Sequence, residues 1–149
     1  LGLSLNIMQN ITIRNMALTD YDRVIQLWNS CDGIHMHRDY SETYEGMGNF
    51  LSRNPGMSFI ALHGEKIIGT VLGSHDGRRG FINHLAIMKP YRKQGIARLM
   101  VANTIRVLKN EGMLKIAIFV LKNNANAQAF WRRIGFAHES IIDVYSIIV

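Results

Sequence analysis

The stretch PYRKQGIARLM, residues 90–100, places a basic loop with one glycine directly before a helical pattern. A helix start usually carries an acidic or hydroxyl cap, but here Arg92, Lys93 and Gln94 lead into Gly95. The first N–H groups of a helix have no partner within it, and the helix dipole adds partial positive charge at that end. Gly95 lets the backbone approach a ligand closely. The stretch therefore predicts a site for a phosphate or pyrophosphate group.

A second interpretation of the same loop stays open at this point. Basic loops are common, so Arg92 and Lys93 could be solvated side chains and Gly95 could serve only the turn. The loop has neither the G-x-x-x-x-G-K-[ST] pattern of a P-loop nor the G-x-G-x-x-G pattern of dinucleotide-binding folds. The choice depends on the elements that surround it.

Hydrophobic periodicity and turn signals predict alternating strands and helices around this loop. Strands are predicted at residues 10–16, 57–62, 66–74, 80–88, 115–121 and 140–149. Helices are predicted from 41 to about 54, from 96 to 111 and from 125 to 134, and an earlier one runs to about residue 31 from a cap at Thr19 or Asp20. Gly112 and Gly135 are the predicted stops of the last two. Hairpins come first and β-α-β crossovers later. This order favours an α/β fold with a mixed, mostly antiparallel, twisted sheet and helices on both faces.

Length and composition indicate an ordinary globular chain. It has 149 residues, of which 48% are hydrophobic and 19% charged, which predicts one domain over residues 10–149. The opening LGLSLNI lacks a basic region and a cleavage site, so it is not expected to be a signal peptide. Residues 1–9 are interpreted as a leader or an added segment. No segment is long and apolar enough to span a bilayer, and we expect no membrane partner. The single cysteine, Cys31, allows no internal disulfide and fits a cytoplasmic protein.

The net charge of +6 is compatible with nucleic acid, a membrane surface or an anionic ligand. No nucleic-acid motif and no basic stripe interleaved with aromatic residues is present, so we expect no specific nucleic-acid partner. A nucleic-acid-binding module remains an alternative that rests on charge alone.

Three features of the sequence coincide around the loop. The strand INHLAI, residues 82–87, precedes it, R-x-x-G-x-A spans Arg92 to Ala97, and N-x-x-A-x-x-F-W-x-x-x-G-F begins at Asn124. In this combination and order of elements the chain resembles the GCN5-related N-acetyltransferase (GNAT) superfamily. The resemblance covers about residues 10–149. It implies a GNAT-like fold and an enzyme that transfers an acetyl group from acetyl-CoA directly to a primary amine, with no metal.

The resemblance also implies a cofactor site. The loop amides would bind the CoA pyrophosphate, at Arg92, Lys93, Gln94, Gly95, Ile96 and Ala97. The preceding strand would pair with the pantetheine arm through Leu85, Ala86 and Ile87, next to a split between this strand and the following one. Asn124 would contact the arm. A backbone N–H aimed at the thioester oxygen would stabilise the oxyanion that develops there.

The catalytic groups are less clear, because the sequence departs from the family pattern twice. Trp131 stands where relatives often have a tyrosine that acts as the general acid. An indole N–H cannot take over this role, because it does not release a proton near neutral pH. Trp131 would instead contact the CoA arm, line the acceptor pocket or pack in the core. Relatives also often carry a glutamate on the strand at residues 80–88, where this chain has Asn83 and His84. His84 has the intrinsic pKa of a base, whereas Asn83 could only orient a water. Strand alternation is expected to send these two side chains to opposite faces.

Other polar and reactive residues have competing interpretations. HMHRDY, residues 35–40, has H-x-H spacing, but two histidines without further ligands are weak evidence for a metal. By resemblance His35, His37, Arg38, Asp39 and Tyr40 would border the acceptor; otherwise they form an exposed loop. Cys31 is expected to be a small core residue.

The sequence thus predicts an acetyl-CoA-dependent N-acetyltransferase with a small-molecule or protein amine as acceptor. An acyl-CoA-binding sensor with little turnover is the alternative, favoured somewhat by the missing tyrosine and glutamate. The apolar ending SIIDVYSIIV, residues 140–149, could pair with a partner edge, so a homodimer is possible.

Overall fold

The computed structural model describes residues 8–34, 36 and 40–149. The chain divides into two compact units, Leu1–Phe119 and Val120–Val149, which are described separately. The predicted single domain over residues 10–149 stays a prediction. No helix formed by the described residues is long and apolar enough to cross a membrane.

The elements follow the order that the sequence predicts through most of the chain. The strands are β1 Ile11–Asn15, β2 Phe59–His63, β3 Lys66–His75, β4 Gly80–Ile87 and β5 Ile116–Ile118. The α-helices are α1 Tyr21–Ser30, α2 Tyr44–Arg53, α3 Ile96–Asn110 and α4 Ala125–Arg133. Short 3-10 turns at Leu18–Asp20 and Lys89–Tyr91 lead into α1 and into the basic loop.

The five strands form one sheet in the order β1-β2-β3-β4-β5. Strands β1 to β4 pair antiparallel with one another, and β5 pairs parallel with β4. This arrangement follows from short hairpin connections between β2, β3 and β4 and from the helical crossover α3 between β4 and β5. The mixed, mostly antiparallel α/β fold predicted from the sequence is confirmed.

Helices cover both faces of the sheet. One face carries the core cluster that α1 and α2 share with β2, β3 and β4, with Trp28 and Met47 on the helices and Ile60, Leu72 and Ala86 on the strands. Helix α3 packs on the opposite face through residues that are 0–1% exposed: Ile96, Met100, Val101, Thr104 and Leu108. Each helix therefore buries an apolar stripe and leaves its polar side to solvent.

Helix ends agree with the predicted signals, whereas two helix starts differ from the prediction. Helix α2 begins at Tyr44 and not at residue 41, because the Thr43 side chain caps it by accepting a hydrogen bond from the Gly46 N–H. Gly112, expected to stop α3, has a φ of +88°. Asp20 does not cap α1 with its side chain, because that carboxylate accepts hydrogen bonds from Arg14, Arg23 and the Ala17 N–H instead.

Two predicted strands differ from the structure. The run at residues 115–121, expected to be a buried strand, forms only the short β5, and Phe119 beyond it is 67% exposed. The final strand predicted at residues 140–149 is wrong, because these residues form no strand in the structure. Apolar, β-prone residues need a partner strand to form a ladder, and sequence pattern alone does not reveal where that partner lies.

The second unit contains α4 and the residues that follow it. Asn124 caps α4 by accepting a hydrogen bond from the Ala127 N–H at 3.0 Å. Trp131 is buried and makes edge contacts with the rings of Phe130 and Phe136. Gly135 ends the helix with a φ of +104°, as the sequence predicts.

Candidate active site

The basic loop between β4 and α3 has the backbone shape of an anion cradle. Gly95 is the residue before the helix and adopts a left-handed conformation with a φ of +86°. Lys93 is also left-handed, with a φ of +61°, which is uncommon for a residue with a side chain. Such residues turn neighbouring N–H groups toward a common side, where they can bind an anion. The dipole of α3 adds positive charge at the same place.

The space beside Gly95 is open. A Cβ placed on Gly95 would meet no atom within 4 Å. The glycine is therefore required by its left-handed backbone and not by crowding from the protein. Glycines in ordinary turns, such as Gly56 and Gly64, have the same clearance, so the open space leaves room for a ligand but does not by itself indicate one.

Arg92 is partly engaged with the protein. Its Nε donates a hydrogen bond to the Ile87 carbonyl oxygen at 2.7 Å, which ties the loop back to the end of β4. An arginine has five N–H donors, and this bond uses one of them. The terminal nitrogens are therefore the part of Arg92 that suits a phosphate. Tyr91 adds a second tie, because its hydroxyl lies 2.8 Å from Nδ1 of His63.

Strands β4 and β5 separate beside this loop. They pair only from Gly80 with Ile116 to Ile82 with Ile118. From Asn83 onward, no strand of the described residues pairs with this edge of β4. This edge has room for an extended ligand such as the pantetheine arm, although the Ile87 carbonyl oxygen already accepts a hydrogen bond from Nε of Arg92. The split expected from the family resemblance is confirmed, and Leu85, Ala86 and Ile87 lie along it.

A bulge in β4 changes the predicted placement of Asn83 and His84. Asn83 pairs with Leu72 and Ala86 with Thr70, so two residues of β4 lie opposite Val71 alone. His84 adopts a left-handed backbone with a φ of +47° at this point. The extra residue interrupts the alternation of side chains.

Both polar side chains consequently lie on the face of α1 and α2. Asn83 is opposite Leu72, whose side chain belongs to the core on that face, and residues directly opposite share a face. The ring of His84 lies 4.5 Å from the ring of Trp28 on α1. The prediction that Asn83 and His84 face opposite sides is wrong, because it assumed an unbroken strand.

Glu42 is a candidate functional residue that the sequence analysis missed. Its carboxylate oxygen Oε1 lies 3.2 Å from Nε2 of His84, and the side chains are 7% and 17% exposed. A glutamate just before a helix ordinarily interacts with the helix start and with solvent. No spacing in the sequence links Glu42 to His84, since the fold alone brings them together.

The other predicted site residues fall into three groups. His35, His37, Arg38 and Asp39 lie outside the described residues, while Tyr40 is 48% exposed. Cys31 is buried, as expected for a core residue. The described residues contain no group of three or more histidine, cysteine, aspartate or glutamate side chains suited to a metal. Asn124 and Trp131 belong to the second unit, and their roles toward the cofactor stay predictions.

Comparison with known proteins relates the chain to acetyltransferases. The model of the acetyltransferase (GNAT) family matches residues 21–136, which include strands β2 to β5, the four α-helices and the basic loop. N-alpha-acetyltransferase 30 from Schizosaccharomyces pombe is 35% identical over 108 residues, which cover 68% of this chain and 72% of that protein.

Solved acetyltransferases share the fold. Ard1 from Thermoplasma volcanium has a TM-score of 0.75 at 17% identity and covers 86% of this chain and 83% of its own. PaiA N-acetyltransferase from Thermoplasma acidophilum, solved in complex with coenzyme A, has a TM-score of 0.76 at 18% identity and covers 87% and 91%.

Proposed function

Since this chain belongs to the acetyltransferase (GNAT) family and is an acetyl-CoA-dependent N-acetyltransferase, we propose that its acceptor is the α-amino group of a polypeptide. The observation that carries this proposal is the 35% identity to N-alpha-acetyltransferase 30 over 108 residues. Ard1 and PaiA are only 17% and 18% identical to this chain, so their likeness concerns the fold and says little about the acceptor.

The loop at residues 92–97 is proposed to bind the pyrophosphate of acetyl-CoA. Acetyl-CoA supplies the activated acetyl thioester. The left-handed Gly95, the start of α3 and the terminal nitrogens of Arg92 provide N–H donors and positive charge for its phosphates. The edge of β4 at Leu85, Ala86 and Ile87 would direct the thioester toward the face that carries His84.

His84 is proposed to be the general base. The acceptor arrives mostly as an ammonium ion, so one proton must leave before the nitrogen lone pair can attack the thioester carbon. His84 can take that proton because neutral imidazole carries a free lone pair on one ring nitrogen. When the C–S bond breaks, the thiolate accepts one proton and the second proton from the amine goes to solvent. Asn83, on the same face, could orient a water in this transfer.

A peptide panel tests the acceptor. The purified protein would receive acetyl-CoA and a lysine-free peptide with a free N-terminus, with CoA release and peptide mass as readouts. The matched controls are the same peptide with a formylated N-terminus, and that blocked peptide with one lysine added. We expect acetylation of the free peptide only. Transfer to the lysine peptide or to an aminoglycoside, with none to the free N-terminus, would overturn the proposal.

A charge test at Gly95 examines the cofactor site. Gly95→Glu and Gly95→Gln place side chains of equal size at a left-handed position, so both strain the loop, but only glutamate repels the phosphates. We expect both variants to weaken acetyl-CoA binding in calorimetric titration, and glutamate to weaken it at least tenfold more. Equal affinities of the two folded variants would contradict a pyrophosphate at this loop.

We also propose that the protein forms a homodimer through residues 140–149. Ile141, Tyr145 and Ile147 there are 86–91% exposed, an unusual density of exposed apolar surface for a β-prone segment. A second copy can bury this segment by strand pairing. Light scattering after gel filtration should give the mass of a dimer for the wild type and of a monomer for Ile141→Lys combined with Ile147→Lys. A monomeric wild type would overturn the proposal.

We place the protein in the cytoplasm. This proposal is supported by its use of acetyl-CoA and by its single, buried thiol, which suits a reducing compartment. Fractionation of cells that express the full chain, followed by immunodetection, would test the location.

A further inference from the structure

We propose that Glu42 is a positioning residue for His84, holding the imidazole in the tautomer and orientation that accept the proton of the acceptor amine. This inference rests on the proposed role of His84 as the base. It assigns a function to a buried carboxylate outside the basic loop and the edge of β4.

The contact itself selects one tautomer. Oε1 of Glu42 lies 3.2 Å from Nε2 of His84, a charge contact without the geometry of a hydrogen bond. A negative charge at this distance favours an N–H over a lone pair at Nε2, so neutral His84 keeps its proton on Nε2 and its lone pair on Nδ1. After His84 takes a proton from the amine, the same carboxylate stabilises the imidazolium that forms. Glu42 then acts on both the orientation and the basicity of the ring.

Glu42 is held firmly enough to orient another side chain. Its second carboxylate oxygen, Oε2, accepts a hydrogen bond of 2.6 Å from the Ser41 hydroxyl. Its main-chain carbonyl accepts one of 2.8 Å from the hydroxyl of Tyr21 on α1. It directly precedes Thr43, the N-cap of α2, where the helix dipole favours a negative charge.

His84 is equally constrained from its other sides. Its carbonyl oxygen accepts a hydrogen bond of 3.0 Å from the Thr70 hydroxyl, which itself accepts one of 2.8 Å from Nε1 of Trp28. The Trp28 ring lies against the imidazole. A left-handed histidine costs conformational energy and persists only where its surroundings fix it. Such strained residues cluster at functional sites, and here the strain aims a titratable ring at the carboxylate.

The test compares Glu42→Gln with Glu45→Gln. Glu45 lies on α2 and is exposed, so Glu45→Gln removes one carboxylate from the same helix start without touching His84. Turnover would be measured from pH 5 to 9 with the best acceptor of the peptide panel. We expect Glu42→Gln to lower kcat about tenfold, to leave the KM for acetyl-CoA unchanged, and to move the acidic limb of the rate profile to lower pH. Glu45→Gln should match the wild type.

A second readout does not depend on any acceptor. The imidazole pKa of His84 would be followed by NMR, with the resonance assigned by its absence in His84→Gln. In the described part of the chain, Glu42 is the charged side chain that contacts this ring. Cys31, at the end of α1, is a second titratable group near β4, and its thiol lies 3.8 Å from the Ile87 carbonyl oxygen. The pKa should fall in Glu42→Gln and stay constant in Glu45→Gln.

The possible outcomes separate this inference from the function on which it rests. A slow His84→Gln variant together with a Glu42→Gln variant of normal rate and normal His84 pKa would overturn the role of Glu42 and keep His84 as base. A fully active His84→Gln variant would overturn both roles. If Glu42→Gln unfolds, Glu42→Asp keeps the charge but shortens the reach, and a wild-type rate and pH profile in that variant would contradict positioning.

Discussion

At the scale of single residues, the arrangement around Asp20 shows how this fold stabilises a buried charge. The carboxylate is 1% exposed and accepts two hydrogen bonds of 2.8 Å from Arg14 and one of 2.9 Å from Arg23. The Ala17 N–H donates a fourth. The hydrogen bonds from Arg14 are the main cause that lowers the pKa of Asp20, and they outweigh the opposing effect of burial. Asp20 thereby joins β1 to the start of α1.

Asp20→Asn is expected to destabilise the protein by about 1–3 kcal/mol at pH 7, because a buried charge-assisted network loses its anion while the arginines can return to solvent. A carboxylate with a lowered folded pKa stabilises above its unfolded pKa. The difference between wild type and variant should therefore be constant from about pH 7 to 5 and shrink as the pH falls below about 4, toward the folded pKa of Asp20.

Urea unfolding at several pH values would measure this difference. Asp22→Asn is the matched control, since Asp22 lies in the first turn of α1 and is exposed. A constant difference down to about pH 3 would contradict an ionised, stabilising Asp20.

At the scale of elements, the contact between α3 and the sheet depends on small residues of β3. A Cβ on Gly73 would lie 2.6 Å from Cγ2 of Thr104 on α3 and would also clash with the main-chain oxygen of Met57. Met100 and Thr104 are fully buried against this surface. The glycine therefore lets the helix approach the sheet more closely than any larger residue would permit.

Gly73→Ala should lower the free energy of unfolding by about 1–3 kcal/mol, the usual cost of overpacking a core. Thermal unfolding followed by circular dichroism would measure it. Gly48→Ala is the control, because Gly48 lies within α2, where alanine favours the helix and the nearest side-chain atom belongs to the flexible end of Leu18. Equal midpoints for Gly73→Ala and the wild type would show that α3 and the main chain at Met57 can both move away from the added Cβ without cost.

Elements with a clear local signal could be predicted from the sequence. The helix predicted at residues 96–111 is observed at Ile96–Asn110, and the strand predicted at 80–88 is observed at Gly80–Ile87. The basic loop could also be predicted, because its glycine and its charges are local features. The strand at residues 140–149 could not, since its formation depends on a pairing partner that no local pattern specifies.

The surroundings of His84 were harder to predict than the loop. The bulge at His84 places a left-handed residue in a strand without the glycine that usually indicates one. The pairing of Glu42 with His84 joins residues far apart in the chain, and only the fold brings Glu42 next to β4. Sequence periodicity contains no information on such contacts.

At the scale of the whole molecule, the net charge of +6 gives the protein a positive field toward an anionic cosubstrate. Acetyl-CoA carries its negative charges on phosphates, at the end of the molecule that the loop at residues 92–97 is proposed to bind. The reacting thioester lies at the other end and is neutral. Binding and chemistry should therefore respond differently to salt.

Raising NaCl from about 50 to about 500 mM should increase the KM for acetyl-CoA several-fold and leave kcat nearly constant, because salt screens exposed charges over the distances involved. Steady-state kinetics with a saturating acceptor would measure both constants. The acetyl thioester of N-acetylcysteamine is the matched donor, since it keeps the thioester and lacks every phosphate, and its KM should be insensitive to salt. If both donors lost affinity equally, salt would be acting on the protein or on the acceptor, and the field of the basic loop would have no part in capturing acetyl-CoA.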